Sequence, residues 1–147
     1  MMKKIVFILI TAILTFSCGS NQDRTVTGEE EDFYGKKLHG YYIISDLRTE
    51  NLMSDNILFR FDSIRNELAG NAGCNRFVAS YNHSNEKINF QPAASTKMYC
   101  EGKMDREKEI IDILPSVTTI IRQENEIILF SDEKELLLKL KQTSKRE

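Results

Sequence analysis

Three cysteines and two histidines are the residues of this chain best equipped for chemistry: Cys18, Cys74, Cys100, His39 and His83. A cysteine hydrolase would need the Cys74 or Cys100 thiol activated by a histidine in space, since the thiolate is the nucleophile. Neither cysteine sits in a catalytic motif. Neither histidine stands at a ligand spacing from Cys, Asp or Glu, so no metal site is expected. The glycines Gly70 and Gly73 lack the Lys and Ser/Thr of a phosphate-binding loop. The residues thus point to a protein that is not an enzyme, with no catalytic residues and no cofactor. Formal net charge is −2. Without Lys3 and Lys4, 18 basic residues face 22 acidic ones, or −4. A nucleic-acid partner is not expected, because such proteins carry a basic face.

Cys18 has a special setting. Lys3 and Lys4 give a positive start, Ile5 to Phe16 is apolar apart from Thr11 and Thr15, and Ser17 precedes the cysteine. The apolar run is about a dozen residues, short of the roughly twenty that span a bilayer. It reads as a secretory signal over 1–17 rather than a buried core helix, because the polar stretch behind it offers no core to join. Leu14-Thr15-Phe16-Ser17-Cys18 resembles a bacterial lipobox, with Thr15 where leucine is usual and Phe16 bulkier than expected. Lipidation of Cys18 is the expectation, with ordinary cleavage or an uncleaved anchor as alternatives. Acyl chains bind membranes at about 0.8 kcal/mol per buried CH₂, so several of them would localise the protein unaided. The expected location is the bacterial cell envelope, lipid-anchored at the outer membrane. If Cys18 is lipidated, Cys74 and Cys100 remain as an even pair in an oxidising compartment, where a disulfide is expected. The alternative is two buried reduced thiols.

The elements that must position these residues follow from periodicity. Residues 18–37 are polar, include the acidic run Glu29-Glu30-Glu31-Asp32, and read as a tether. From Leu38 the pattern turns β-like. Tyr41 to Ile44 is aromatic and β-branched. Ile57, Phe59 and Phe61 alternate with Leu58, Arg60 and Asp62. Ile64 and Leu68 continue a second run after an Asp62-Ser63 corner. Ile88 and Phe90 alternate with polar neighbours. Val117 to Arg122, Ile127 to Phe130 and Leu136 to Leu140 suit a meander of hairpins, with Leu136, Leu138 and Leu140 on one face. Lys103 to Leu114 places Met104, Ile111 and Leu114 at helical spacing, with Ile110 beside them, and Pro115 ends that helix. The expected fold class is α+β: a curled antiparallel sheet or partly open barrel of six to eight short strands, with one amphipathic helix packed on it.

The most distinctive stretch is Ala69-Gly70-Asn71-Ala72-Gly73-Cys74-Asn75-Arg76-Phe77, with Tyr81 after it and then Ser95-Thr96-Lys97-Met98-Tyr99-Cys100. Gly70 and Gly73 suggest a tight corner with positive φ. Asn75 tolerates turns, and its amide can bind nearby backbone. Phe77 and Tyr81, four apart, are expected to enter the core from a short helical or irregular turn. The stretch resembles the META domain family of HslJ-like heat-shock lipoproteins. Gly70, Gly73, Cys74, Asn75, Phe77 and Tyr81 fill that family's first pattern, and Thr96, Met98 and Cys100 its second. Leu38-x-Gly40-x-Tyr42 resembles the family's start, where a tryptophan commonly stands in place of Tyr42. The resemblance covers 38–141, with a polar tail over 142–147. It implies a non-enzymatic envelope protein linked to stress response or protein interaction, with an envelope protein as partner. The competing expectation is a carrier of a small apolar or lipid-like ligand, held in a curled sheet lined by Phe59, Phe61, Phe77 and Phe90.

Overall fold

The computed structural model of the protein describes residues 37–144. The signal over 1–17, Cys18 and residues 18–36 of the tether lie outside the described residues, as do residues 145–147. In chain order the strands are β1 (Gly40–Leu47), β2 (Glu50–Asn51), β3 (Leu58–Asp62), β4 (Glu67–Asn71), β5 (Arg76–Ser84), β6 (Lys87–Phe90) and β7 (Ala94–Ser95). The one α-helix among the described residues, α1 (Met104–Ile113), follows, then β8 (Thr119–Gln123), β9 (Glu126–Phe130) and β10 (Leu136–Thr143). The last strand runs two residues past the expected domain end at 141.

Neighbouring strands pair antiparallel in the order β10-β9-β8-β6-β5-β4-β3-β1, and β10 pairs with β1. The sheet is therefore a closed barrel of eight strands, with β2 and β7 as short additions on β1 and β5. This is the α+β architecture expected from the sequence, with the ring shut rather than partly open. Closure runs from Tyr41 opposite Thr143 to Leu47 opposite Leu138. It removes the free edges that an open sheet would expose. The seam between β6 and β8 is much shorter, with one paired position, Lys87 opposite Thr119.

Local chemistry explains the turns. Between β3 and β4 the Asp62 carboxylate accepts the N–H groups of Ile64 at 3.0 Å and Arg65 at 3.1 Å. Asn66 then takes φ 53°, a left-handed conformation that asparagine tolerates. Ile64 belongs to this turn and is 92% exposed, so it does not open a second apolar run. Asn85 plays the same part between β5 and β6, with φ 55°.

The core lies inside the barrel. Phe59, Phe61, Phe77, Tyr81 and Phe90 are all buried there. Tyr42 and Phe61 meet edge-on with centroids 5.6 Å apart, Phe59 and Phe77 at 5.2 Å, and Phe61 and Tyr81 at 5.7 Å. Edge-to-face contact is the geometry aromatic quadrupoles favour. Three local expectations change. Phe77 and Tyr81 lie not on an irregular turn but on β5, a nine-residue strand that sends Phe77, Ala79 and Tyr81 inward. Four residues are two strand periods, and the small Ala79 between them hides the alternation. In β10 the pairing with β9 shifts between Leu136 and Leu138. That bulge leaves Leu136 only partly covered and buries Leu137, Leu138 and Leu140. Helix α1 buries Glu107, Ile110 and Ile113, while Met104 and Ile111 are half-buried. Pro115 ends it as expected, inside one 3-10 turn at Leu114–Ser116.

Candidate functional site

Gly70 and Gly73 turn out to do different jobs. Gly73 has φ +125° and makes the corner after β4, where a side chain would be strained. Gly70 lies within β4, opposite Phe59 and Phe77. A Cβ there would come within 2.5 Å of the Leu58 carbonyl and 3.0 Å of both rings. Its role is therefore space rather than a positive φ, contrary to the corner expected at that position. The corner is stapled by Asn71, whose side-chain oxygen accepts the Gly73 N–H at 2.9 Å.

Past the corner, Cys74 and Asn75 meet the helix. Cys74 N–H donates to Glu107 Oε2 at 3.1 Å, and Asn75 N–H donates to the same oxygen at 2.6 Å. Asn75 Nδ2 donates to Glu107 Oε1 at 2.6 Å. Glu107 is only 5% exposed, yet three N–H donors meet its carboxylate. Buried carboxylates require such partners, because unpaired burial of the charge is costly. Its place in the first turn of α1 adds a favourable helix dipole. Sequence reasoning missed Glu107. It sits three residues before Ile110 and seven before Leu114, on the stripe that faces the barrel, and that spacing is the one signal that marks it.

The rest of the Asn75 amide points the other way. Its Oδ1 accepts the Thr96 hydroxyl at 2.7 Å and the Met98 N–H at 2.7 Å. Its Nδ2 also donates to the Met98 carbonyl at 3.0 Å. An amide offers two donors and two acceptor positions, and all four are engaged here. Thr96 N–H donates to the Arg76 carbonyl at 3.0 Å. Cys74 and Cys100 are joined by a disulfide across a sequence separation of 26, with Cα atoms 5.9 Å apart. The segment from Thr96 to Cys100 is thus fixed at three successive points. Met98 and Tyr99, held between them, are 58% and 81% exposed.

The nine motif residues divide between two places. Gly70, Phe77 and Tyr81 belong to the barrel wall. Gly73, Cys74, Asn75, Thr96, Met98 and Cys100 form the corner and the loop pinned to it. Tyr81 adds one more tie, donating its hydroxyl to the Leu38 carbonyl at 3.2 Å. Burial pushes its phenol pKa up to about 12. His39 is exposed at the start of the domain. His83 stands opposite Ile88 at the far end of β5, and burial lowers its pKa. With both sulfurs bonded to each other, neither cysteine offers a thiolate. Among the described residues no group of three or more His, Cys, Asp and Glu is placed to hold a metal ion.

Known proteins share this fold. The META domain model matches residues 36–144. A protein from Burkholderia xenovorans solved by NMR is 16% identical, with TM-score 0.57, covering 73% of this chain and 83% of that one. A second NMR structure is 19% identical, with TM-score 0.57, covering 74% and 92%. A crystal structure of a duf4847 family protein from Bacteroides vulgatus is 12% identical, with TM-score 0.53, covering 80% and 99%. At these identities the solved structures share the fold alone. No curated protein matches the chain. The family match spans the whole barrel, with both halves of the motif inside it, and the chain belongs to the META domain family.

Proposed function

We propose that the chain is a lipid-anchored, non-enzymatic protein of the bacterial cell envelope whose META domain presents an interaction surface to an envelope protein under stress. The observation that carries this reading is the pinned loop. Asn75, Glu107 and the disulfide hold the backbone on either side of Met98 and Tyr99, while those two side chains stand in solvent. A rigid aromatic residue loses little entropy on binding, and such anchors dominate protein interfaces. The polar side chains of Asn75, Thr96 and Glu107 are spent on holding the loop. The aromatic lining of the barrel, which a carrier would need, is packed ring against ring.

The anchor and the surface are tested separately. Cells expressing the protein, labelled with a fatty acid, are expected to label the wild type and not Cys18→Ser; equal labelling would remove the anchor from the proposal. A photo-crosslinking amino acid in place of Tyr99 is expected to give a discrete adduct with one envelope protein. The same probe in place of Ile64, exposed on the β3–β4 turn, serves as control. Adducts at both positions alike, or at neither, would overturn the interaction reading.

A further inference from the structure

The outer wall of the barrel holds a second feature, apart from the loop. Register aligns Tyr41 of β1, Arg60 of β3, Ala69 of β4 and Val78 of β5 in one row. The adjacent row aligns Leu58 of β3, Asn71 of β4 and Arg76 of β5. Arg60 and Arg76 are therefore two strands apart and two residues out of step. Strand spacing and rise put their Cα atoms about 12 Å from each other, with β4 between them. At that crossing the outward residues of β4 are Ala69, which is small, and Asn71, whose side-chain oxygen is turned to the Gly73 N–H at 2.9 Å, so the wall is hollow there. The hollow is a cleft of ≈ 370 Å³ lined by Tyr41, Leu58, Arg60, Ala69, Arg76 and neighbouring backbone.

Its lining carries two positive charges. The protein as a whole is acidic, with 22 Asp and Glu against 20 Lys and Arg, yet no acidic residue lines this cleft. The nearest counter-charge to Arg60 is Asp62 at 3.8 Å. That carboxylate is already engaged by Arg65 at 3.3 Å and by two backbone N–H groups. The Arg76 guanidinium has no hydrogen-bond or ion-pair partner among the described residues. Arginine presents a planar fork of donors suited to carboxylate and phosphate. Leu58, the Tyr41 ring and Ala69 supply an apolar floor between the two forks. The volume lies within the range of small-molecule sites.

We propose that this cleft binds a small organic anion, a carboxylate or phosphate head on an aromatic or short apolar body. The head is gripped by Arg60 and Arg76, and the body lies over Ala69 against Tyr41. This site is independent of the Met98–Tyr99 loop, so either proposal can fail alone.

The test follows backbone amide shifts of the full chain by heteronuclear NMR as probes are added. Phenylacetate and phenyl phosphate carry both head and body; inorganic phosphate carries the head alone, and benzyl alcohol the body alone. Saturable shifts at Tyr41, Ala69, Gly70 and Arg76 are expected with one or both of the first two, and the tighter one names the head group. The body alone should bind about tenfold more weakly, since a charge-assisted hydrogen bond is worth roughly that factor. The head alone should be weaker by a similar factor of about ten, since it leaves the apolar floor uncovered. Arg76→Gln should weaken binding about tenfold on the same grounds. Ala69→Leu should fill the hollow and abolish binding while every charge stays in place. The spectrum of each variant outside the cleft reports that it is folded. Absence of saturable shifts would overturn the proposal. So would binding that survives both substitutions, or inorganic phosphate binding as tightly as the larger anions.

Discussion

Inside the barrel, Phe59 lies against Phe77 with ring centroids 5.2 Å apart, and no polar bond holds either ring. A short distance along the chain, Asn75 is held by four hydrogen bonds from its amide alone. The two regions share one sequence motif and are stabilised by different forces. The barrel gains from burial, which is non-directional and tolerates small rearrangements. The loop gains from polar contacts, which fail when a single partner is misplaced. A barrel held that way can carry a rigid loop without depending on it. The loop cannot form without the barrel, because Glu107 reaches it only when α1 is packed on the wall.

The comparison breaks first at the core. Phe59→Ala removes a fully buried ring and is expected to cost about 4 kcal/mol of stability. Urea denaturation should show it as a lower midpoint, with the near-ultraviolet signal of the whole domain weakened. Removing the disulfide with paired Cys74→Ser and Cys100→Ser should cost somewhat less. The chain-entropy estimate for the 26-residue separation is about 3.5 kcal/mol. Here the barrel should keep its aromatic spectrum, and loss of that spectrum would show that the loop and barrel are one unit.

Glu107→Ala leaves the N–H groups of Cys74 and Asn75 without their acceptor. Its cost should be about 3 kcal/mol, at 1–3 kcal/mol for each buried group left unpaired. Hydrogen exchange should quicken at residues 74, 75 and 98 and stay slow in β1 and β10. Uniform quickening would contradict the separation of the two regions. A smaller effect comes from pH. Tyr81 has a phenol pKa raised from 10.0 to about 12 by burial. The unfolded chain therefore binds fewer protons than the folded one above pH 10, and stability falls with rising pH. The contribution of Tyr81 is complete below pH 10 and is lost as pH climbs toward 12. Tyr81→Phe should flatten that part of the profile. The smallest effect belongs to Tyr99→Ala, which touches no core and should stay within about 0.5 kcal/mol of the wild type. Thermal melting of the variant checks it, and a large loss would mean that Tyr99 supports the fold instead of facing a partner.

Much of the barrel was legible in advance. The alternation of Ile57, Phe59 and Phe61, the Ile88 and Phe90 pair, and the leucines near the end of the chain each marked a strand. β5 was not, because Val78 faces out and Ala79 faces in, which blurs a pattern based on size. The Leu136–Leu138 bulge was invisible for a similar reason, since three consecutive leucines carry no phase. In the site, Cys74 and Cys100 were legible as a pair by counting. The partner of Asn75 was not. A glutamate on a charged helix looks like surface until something shows which face is covered.

The sequence by itself determined the local matters: where most of the strands alternate, that Gly73 turns the chain, where Pro115 stops the helix, and which family motif is present. These depend on neighbours within a few residues. The closing of β10 onto β1, the burial of Glu107 and the cleft between Arg60 and Arg76 were decided only by the tertiary structure. Each of these joins residues from separate strands or helices. Their energies depend on distance and on exclusion of water, and neither exists until the barrel has closed.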